Sequence, residues 1–324
     1  MSSPSTAPRT TRTPPALAAV AALGCAWSFV TVTLGAFTTT IGAGMAFPDW
    51  PLSNGSLNPH GWLTNVAMFA EHSHRLSVGL LSTVTLVIAI WLSRTERRRW
   101  LRQLGWFAFA LVILQAVVGG LRVLLEPDQV KPIDTSVGEL FAMLHACLAQ
   151  AFVCTLIAIA TACSRSWRED AIPVGAGLRR TGVVCCGLLF LQLAIAAVMR
   201  HSNAGLAIPS FPWSGPDHAL LPPVWSFRVA IQFAHRAMAL VLTVALVAFA
   251  VRIWRDRGAP LGMRSGASLL VSLLAFQILL GAMIIRTYRD PGITTAHVVT
   301  GALTLATAFW LTWRAHRDPL ESPA

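Results

Sequence analysis

The sequence predicts an all-α membrane protein in which eight transmembrane helices form two tandem four-helix bundles related by internal duplication. Three observations predict this fold class: an apolar composition, eight apolar stretches of helix length, and a motif that occurs twice. Of the 324 residues, 55% are hydrophobic and only 12% are charged, and the mean hydropathy is +0.61. These values lie outside the range of soluble globular domains, so we expect a polytopic membrane protein.

Each apolar stretch has about the 20 residues that a helix needs to cross a hydrocarbon core of ~30 Å. The stretches cover residues 16–40, 66–93, 104–125, 137–163, 181–199, 227–253, 267–285 and 293–313. They divide into two sets of four. We therefore predict a disordered cytoplasmic tail over residues 1–15, an N-terminal half over 16–165 and a C-terminal half over 166–324.

The repeated motif supports this division into halves. The segment GMAFPDWP at residues 44–51 recurs as GLAIPSFP at residues 205–212, and His74-Arg75 recurs as His235-Arg236. Both pairs of segments are separated by the same 161 residues. A shared offset for two separated motifs indicates a tandem duplication.

The net charge of +11 is explained by membrane topology, and nucleic acid is not an expected partner. Seventeen of the 25 basic residues lie in the termini and in the loops after spans two, four and six. The positive-inside rule therefore predicts that both termini are cytoplasmic. Arginine outnumbers lysine by 24 to one, which is typical of a GC-rich bacterial genome. We expect a multi-pass protein of the bacterial inner membrane, in contact with lipid.

Each even-numbered span carries a histidine at matching depth in its first turns, and these residues are His74, His145, His235 and His297. With both termini inside, all four lie in the outer half of the bilayer, at 1.5 Å of rise per residue. Ionisable residues within spans are costly and usually face the bundle interior for a functional reason. Two neutral imidazoles on facing helices are the arrangement that six-coordinate haem iron requires.

Two other interpretations of the histidines are weaker. A hydrogen-bonded structural role explains one such residue, but four at matching depth are harder to explain in this way. A zinc or copper site usually recruits closely spaced carboxylates or thiolates, and the sequence has no carboxylate or second histidine within a turn of His145, His235 or His297. His72 lies about 200° around the helix from His74 and cannot share its site.

Glu71 is the candidate catalytic residue. Glu71, His74 and Arg75 share one helix face, because they occupy positions i, i+3 and i+4. An ion pair between Glu71 and Arg75 at the helix start is the structural alternative. The second copy has Gln232 at the position of Glu71, so a unique carboxylate favours chemistry in the first copy. Candidate contacts for haem propionates are Arg75, Arg236 and Arg200.

Span three and span seven share a further pair of residues. Gln115 and Gly119 in the first correspond to Gln277 and Gly281 in the second. Glycine permits close approach of a neighbouring helix or of a flat macrocycle, and simple helix packing is the favoured explanation.

The motifs together resemble those of the haem A synthase family. They are G-x-x-x-P-D-W-P-L in the first long loop, E-x-x-H-R at the start of span two, and A-G-L-A-x-P with a following H-R in the second copy. The resemblance extends over about residues 15 to 315. It implies an eight-helix membrane enzyme that oxidises the C8 methyl of haem O to a formyl group, which gives haem A for cytochrome c oxidase assembly.

The resemblance also implies roles for individual residues. Glu71 corresponds to the family's catalytic glutamate. His74 and His145 correspond to the ligands of the substrate haem, and His235 and His297 to the ligands of a resident haem b. Two features of many family members are missing: a cysteine pair in the first long loop, where this chain has Ala46 and Ser53, and an arginine near the end of span one, where it has Thr38-Thr39-Thr40. Arg200 keeps that arginine in the second copy.

Two other functions remain open from the sequence. A two-haem membrane protein of cytochrome b type, transferring electrons without chemistry on the macrocycle, needs the same four histidines. A haem transporter or chaperone is disfavoured because ligation by two histidines in each half hinders release. For the enzyme we expect haem O, handed over by a haem O synthase, and an electron donor or acceptor as partners, with a homo-oligomer as a further possibility.

Overall fold

The computed structural model describes residues 14–125 and 136–321, and within these ranges it contains ten α-helices and no β-strand. The helices are α1 (Pro15–Thr40), α2 (Val66–Thr95), α3 (Arg99–Leu124), α4 (Val137–Cys163), α5 (Arg165–Glu169), α6 (Ala176–His201), α7 (Phe227–Arg255), α8 (Leu261–Arg286), α9 (Pro291–Ala315) and α10 (Arg317–Glu321). Eight of them are long and apolar enough to cross a membrane, which confirms the predicted number of spans and the all-α class. The predicted tail falls mainly on residues 1–13, which lie outside the described residues.

Several helices extend beyond the apolar stretches that predicted them. Helix α3 begins at Arg99 rather than at residue 104, α6 at Ala176 rather than 181, and α8 at Leu261 rather than 267. Hydropathy marks only the part of a helix that lies in hydrocarbon. The added turns carry arginines, whose long side chains reach water from the end of a membrane helix.

Each half is a closed ring of four helices. In the first half α1 packs on α2, α2 on α3, α3 on α4, and α4 on α1; in the second half α6, α7, α8 and α9 repeat this order. Helices α2 and α4 are therefore diagonal partners across one bundle, and α7 and α9 across the other. The halves meet through α1 and α4 of the first and α6 and α9 of the second. This shared order makes the inferred duplication plausible.

The apolar core of each bundle lies at the end with the arginine-rich loops. In the first bundle it includes Leu92, Leu101 and Ile159, and in the second Phe249 and Met263, and all five are fully buried. The four histidines lie in the opposite half of each bundle, near two long loops at residues 41–65 and 202–226. The apolar core of each bundle thus lies at one end, and the polar histidine side chains lie towards the other end.

The C-terminal helix α10 joins the two halves at the arginine-rich end. The Glu321 carboxylate accepts hydrogen bonds from Arg98 Nη1 at 2.9 Å and from Trp167 Nε1 at 2.6 Å. Arg98 belongs to the loop between α2 and α3, whereas Trp167 lies in α5, between the halves. Trp167 is fully buried and stacks on Trp313 of α9. One carboxylate therefore connects three separate segments.

We expect Glu321→Ala to lower the melting temperature of the detergent-solubilised protein, because it leaves the Trp167 indole and the Arg98 guanidinium without this acceptor. The free energy of unfolding should fall by about 1–2 kcal/mol, since the hydrogen bonds of Glu321 are only half-buried. Glu169→Ala is the matched control, because the Glu169–Arg165 ion pair is exposed. The melting temperatures are measured by circular dichroism. Equal values for Glu321→Ala and Glu169→Ala would contradict a joining role for α10.

Candidate functional site

The depth of each histidine is set by the start of its helix. All four histidine-bearing helices have a side-chain N-cap, whereas α1, α3, α6 and α8 have none. The caps are Asn65 for His74, Ser136 for His145, Ser226 for His235 and Asp290 for His297. The first three histidines follow their caps by nine residues and the fourth by seven. All four therefore lie about 10–14 Å along the helix from the cap.

In the first half, each imidazole donates a hydrogen bond to a backbone carbonyl on a neighbouring helix. His74 Nδ1 lies 3.1 Å from the carbonyl oxygen of Thr31 on α1. His145 Nδ1 lies 3.0 Å from the carbonyl oxygen of Gln115 on α3. A carbonyl only accepts, so Nδ1 carries the hydrogen in both rings and Nε2 keeps its lone pair. Metal-binding histidines have this arrangement, because the Nδ1–H bond fixes the orientation of the ring.

Glycines make room for these rings. A Cβ atom on Gly35 of α1 would lie 2.8 Å from Cε1 of His74, and one on Gly119 of α3 would lie 2.8 Å from Cε1 of His145. Both distances are too short for a side chain to be present. The sequence had favoured simple helix packing as the role of Gly119, and the structure shows an imidazole against it.

In the second half, glutamine side chains contact the imidazoles. Gln192 Nε2 of α6 lies 3.1 Å from His235 Nδ1 and 3.0 Å from the His235 carbonyl oxygen. Gln277 Nε2 of α8 lies 3.2 Å from His297 Nε2, and a Cβ on Gly281 would lie 3.3 Å from Cε1 of this ring. His297 Nδ1 is buried without a hydrogen-bond partner among the described residues.

These residues fit a haem in each half. The two histidines of a half sit on diagonal helices of one four-helix bundle. All four side chains are only half-buried. The free Nε2 atoms of the first half and the unpartnered Nδ1 of His297 are nitrogen donors of the kind that haem iron binds.

Glu71 is buried and both of its carboxylate oxygens have partners. One oxygen accepts from the backbone N–H of Phe47 at 3.1 Å, and the other forms an ion pair with Arg75. The carboxylate therefore holds the first long loop against the start of α2.

Gln232 makes the equivalent loop contact in the second half. Its Oε1 accepts from the backbone N–H of Ile208, which occupies the repeat position of Phe47, and its Nε2 donates to the Gly205 carbonyl at 2.8 Å. Gln232 thus keeps the loop contact of Glu71 but not the ion pair.

Arg75 and Arg236, both candidates for propionate contacts, donate to loop carbonyls. Arg75 donates to the carbonyls of Asp49, at 2.7 Å, and of Phe47 and Leu52. Arg236 donates to the carbonyl of Ile208 at 3.0 Å and to that of Trp213 at 3.3 Å. Each arginine fixes the long loop of its own half above the histidines.

Arg200 reaches from the second half into the first. Its Nη2 donates to the carbonyl of Ala36 at 2.9 Å and to the Thr40 hydroxyl at 2.7 Å, both near the end of α1. This is the end of α1 at which the chain lacks the arginine expected from the resemblance. A guanidinium from α6 is therefore present there.

The first long loop is held without cysteines at Ala46 and Ser53. Ser53 is buried, and its hydroxyl lies 3.0 Å from Nδ1 of His72, whose ring also contacts the indole of Trp62. His72 therefore faces the loop rather than the side occupied by His74. The Asp49 carboxylate accepts from the N–H groups of Asn54 and Gly55, both at 2.7 Å. Slight burial raises the pKa of Asp49, but these bonds and the Arg75 charge outweigh it and lower the pKa.

Sequence reasoning missed four residues of this site: Thr31, Gly35, Arg122 and Gln192. Arg122 donates to the Gly44 carbonyl at 2.6 Å and thereby ties the first loop to α3. Gln192 stands 161 residues after Thr31, so the repeat offset was a usable signal for this pair. Thr31 acts through its backbone carbonyl, which no residue type reveals.

We expect Gly119→Ala to displace the His145 ring and to break its bond to the Gln115 carbonyl, and so to lower the haem that copurifies with the protein. Gly79→Ala is the control, because Gly79 lies in α2 and nothing is within 4 Å of the added methyl. Haem content per protein should fall in Gly119→Ala and stay unchanged in Gly79→Ala. Equal content in both would show that the close approach at Gly119 is unimportant.

The chain is similar to known proteins over most of its length. A family model described as "Cytochrome oxidase assembly protein" (COX15-CtaA) matches residues 18–309. Among similar proteins is a "Heme A synthase" from Symbiobacterium thermophilum, 29% identical over 306 residues, which are 91% of this chain and 92% of the relative. Another from Bacillus licheniformis is 25% identical over 268 residues, 81% of this chain and 84% of the relative.

A third protein with the same name, from Staphylococcus haemolyticus, is 24% identical over 259 residues, 78% of this chain and 79% of the relative. The family model extends over both halves, and its range includes all four histidine positions. These matches confirm the resemblance seen in the motifs, and this chain belongs to the COX15-CtaA family of cytochrome oxidase assembly proteins.

Proposed function

We propose that this protein is an oxidoreductase of the haem A synthase type, which converts the C8 methyl of haem O to a formyl group for cytochrome c oxidase assembly. Membership of the family and the names of the relatives support haem A biosynthesis. The observation that supports a substrate site in the first half is the pair His74 and His145. The Nδ1–H group of each ring is hydrogen-bonded to a backbone carbonyl. Their Nε2 atoms remain available to the iron of the substrate.

In this proposal the substrate haem O lies between α2 and α4, and a haem b lies between α7 and α9. His74 and His145 orient the substrate, and His235 and His297 hold the haem b. When bound, the haem b supplies one-electron transfer to or from the first half. The long loops, fixed by Arg75 and the second-half Arg236, limit the access of water to the two sites.

Glu71 is proposed as the general base or charge stabiliser. As a half-reaction, oxidation of a methyl to a formyl group is R–CH₃ + H₂O → R–CHO + 4 H⁺ + 4 e⁻. The four electrons pass to an external oxidant, for which the proposed electron partner is the candidate, and the protons need an acceptor near the reacting carbon. Glu71 is buried and lies one turn before His74. Its Oε2 atom, which accepts a hydrogen bond from the Phe47 N–H, is the oxygen proposed to take up the proton. Arg75 keeps the carboxylate in a fixed orientation.

The electron-transfer alternative is favoured by one specific observation. Glu71 and Gln232 both accept from the backbone N–H of an equivalent loop residue, Phe47 or Ile208. A loop anchor needs no charge, so this equivalence permits a structural role for Glu71 in a two-haem protein of cytochrome b type. The two functions differ in the pigment that they leave in the membrane.

We expect Glu71→Gln to retain haem and loop packing but to lose formation of haem A, because the amide keeps a hydrogen-bonding oxygen and cannot take up a proton as a base. Gln232→Glu is the matched variant and is expected to have the smaller effect on product. The measurement is haem A and haem O extracted from membranes after co-expression with a haem O source. A normal haem A yield from Glu71→Gln would leave the carboxylate a structural role and favour the alternative.

The orientation is a separate proposal, supported by the arginine-rich loops at one end of the bundles. We propose a bacterial inner-membrane protein with both termini cytoplasmic, which receives haem O from its synthase and exchanges electrons with a partner protein. The long loops then lie outside, and the haem sites lie in the outer half of the membrane.

This orientation predicts opposite labelling of two single cysteines, because positive loops stay inside. His60→Cys in the first long loop and Arg97→Cys between α2 and α3 are both at exposed positions. In a background without the six native cysteines, an impermeant maleimide should label intact spheroplasts at position 60 and only opened membranes at position 97. The reverse pattern would invert the topology.

A further inference from the structure

The two halves differ in what contacts the histidine rings. In the first half the contacts are the backbone carbonyls of Thr31 and Gln115, which are fixed by their helices. In the second half the contacts are the carboxamides of Gln192 and Gln277. Gln192 stands at the repeat position of Thr31. The two halves therefore place different residue types at the same repeat position beside the ring.

The pair Gln115 and Gln277 shows the difference within one residue type. Both occupy equivalent positions in α3 and α8, but Gln115 Nε2 donates to the backbone carbonyl of His145 at 2.8 Å, whereas Gln277 Nε2 contacts the ring of His297. A Cβ on Gly301 would lie 3.2 Å from Gln277 Nε2. The equivalent position in the first half, four residues after the histidine, holds Ala149. Glycine at residue 301 thus leaves room for the amide beside the ring.

The buried polar atoms around these amides are incompletely paired. Among the described residues, the Oε1 atoms of Gln192 and Gln277 have no hydrogen-bond partner, nor has Nδ1 of His297. Gln115 Oε1 is also unpartnered, but its amide contacts no ring nitrogen. A carboxamide can present either its NH₂ group or its oxygen after half a turn about its last bond. Each second-half glutamine can therefore serve as an acceptor for an imidazole N–H.

We propose that Gln192 and Gln277 are positioning residues that set the electron density of the second-half iron ligands, and hence the reduction potential of that haem. The proposal rests on the haem b site proposed above. When iron occupies one nitrogen of a ring, the other nitrogen carries a hydrogen and needs an acceptor. An acceptor makes the imidazole a stronger donor, which stabilises ferric iron and lowers the potential.

This role predicts shifts of opposite sign in two variants of one residue. Gln277→Leu removes the acceptor and should raise the midpoint potential of the second-half haem, whereas Gln277→Glu supplies a charged acceptor and should lower it. Gly301→Ala keeps the glutamine but presses on its amide, and should shift the potential in the same direction as Gln277→Leu. Gln150→Leu is the matched control and should leave the potentials unchanged, because Gln150 of α4 also has a buried Oε1 without a partner among the described residues, but its amide makes none of these ring contacts.

The experiment is a spectroelectrochemical titration of the purified protein, with haem content measured on the same samples and the low-spin signal followed by electron paramagnetic resonance. Wild-type potentials in Gln277→Leu and Gln277→Glu with full haem content would overturn the proposal. If Gln277→Leu fails to fold, Gln277→Glu and Gly301→Ala decide in the same way. Absence of a second-half haem from the wild-type protein would instead contradict the proposed function, so the two failures are distinguishable.

Discussion

The arrangement of the first bundle depends on the hydrogen bond that each of its two half-buried imidazoles donates to a neighbouring helix. A polar ring inside a membrane is costly unless its N–H is paired. In the first half the pairing requires the backbone carbonyls of Thr31 and Gln115 to come within 3.1 Å of the rings. That approach leaves no space for side chains at Gly35 and Gly119. The small residues on α1 and α3 follow from the histidines on α2 and α4.

The long loops are subject to a second constraint, because irregular backbone next to a membrane still needs partners for its polar groups. A buried side chain at the start of α2 or α7, Glu71 or Gln232, accepts a loop N–H in each half, and an arginine one turn later donates to loop carbonyls. The loops are thereby fixed above the histidines. Glu71, the candidate catalytic residue of the sequence motif, thus also helps to determine how the first site is covered.

The sequence was sufficient to predict the number of spans and the positions of the four histidines within them. Hydrophobic length and the spacing of motifs can be read from residue types alone. The sequence was not sufficient to predict which backbone carbonyls and side chains contact the imidazole rings. Thr31 acts through a carbonyl, and Gln115 and Gln277 are the same residue with different partners. The reach of Arg200 to α1 was also missed, since it depends on how the halves pack. The proposed haem-binding and catalytic roles of the site residues stay predictions.

The inferred duplication would explain how a few substitutions give the two proposed sites different chemistry. Both halves place a histidine pair on diagonal helices at similar depth, so the scaffold does not distinguish them. The differences lie in positions around the rings: Thr31 against Gln192, and Glu71 against Gln232. The first half has rings held by rigid carbonyls and a buried carboxylate, which suits orientation of a substrate and movement of a proton. The second half has adjustable amides and no such carboxylate, which suits a haem that stays bound and only exchanges electrons.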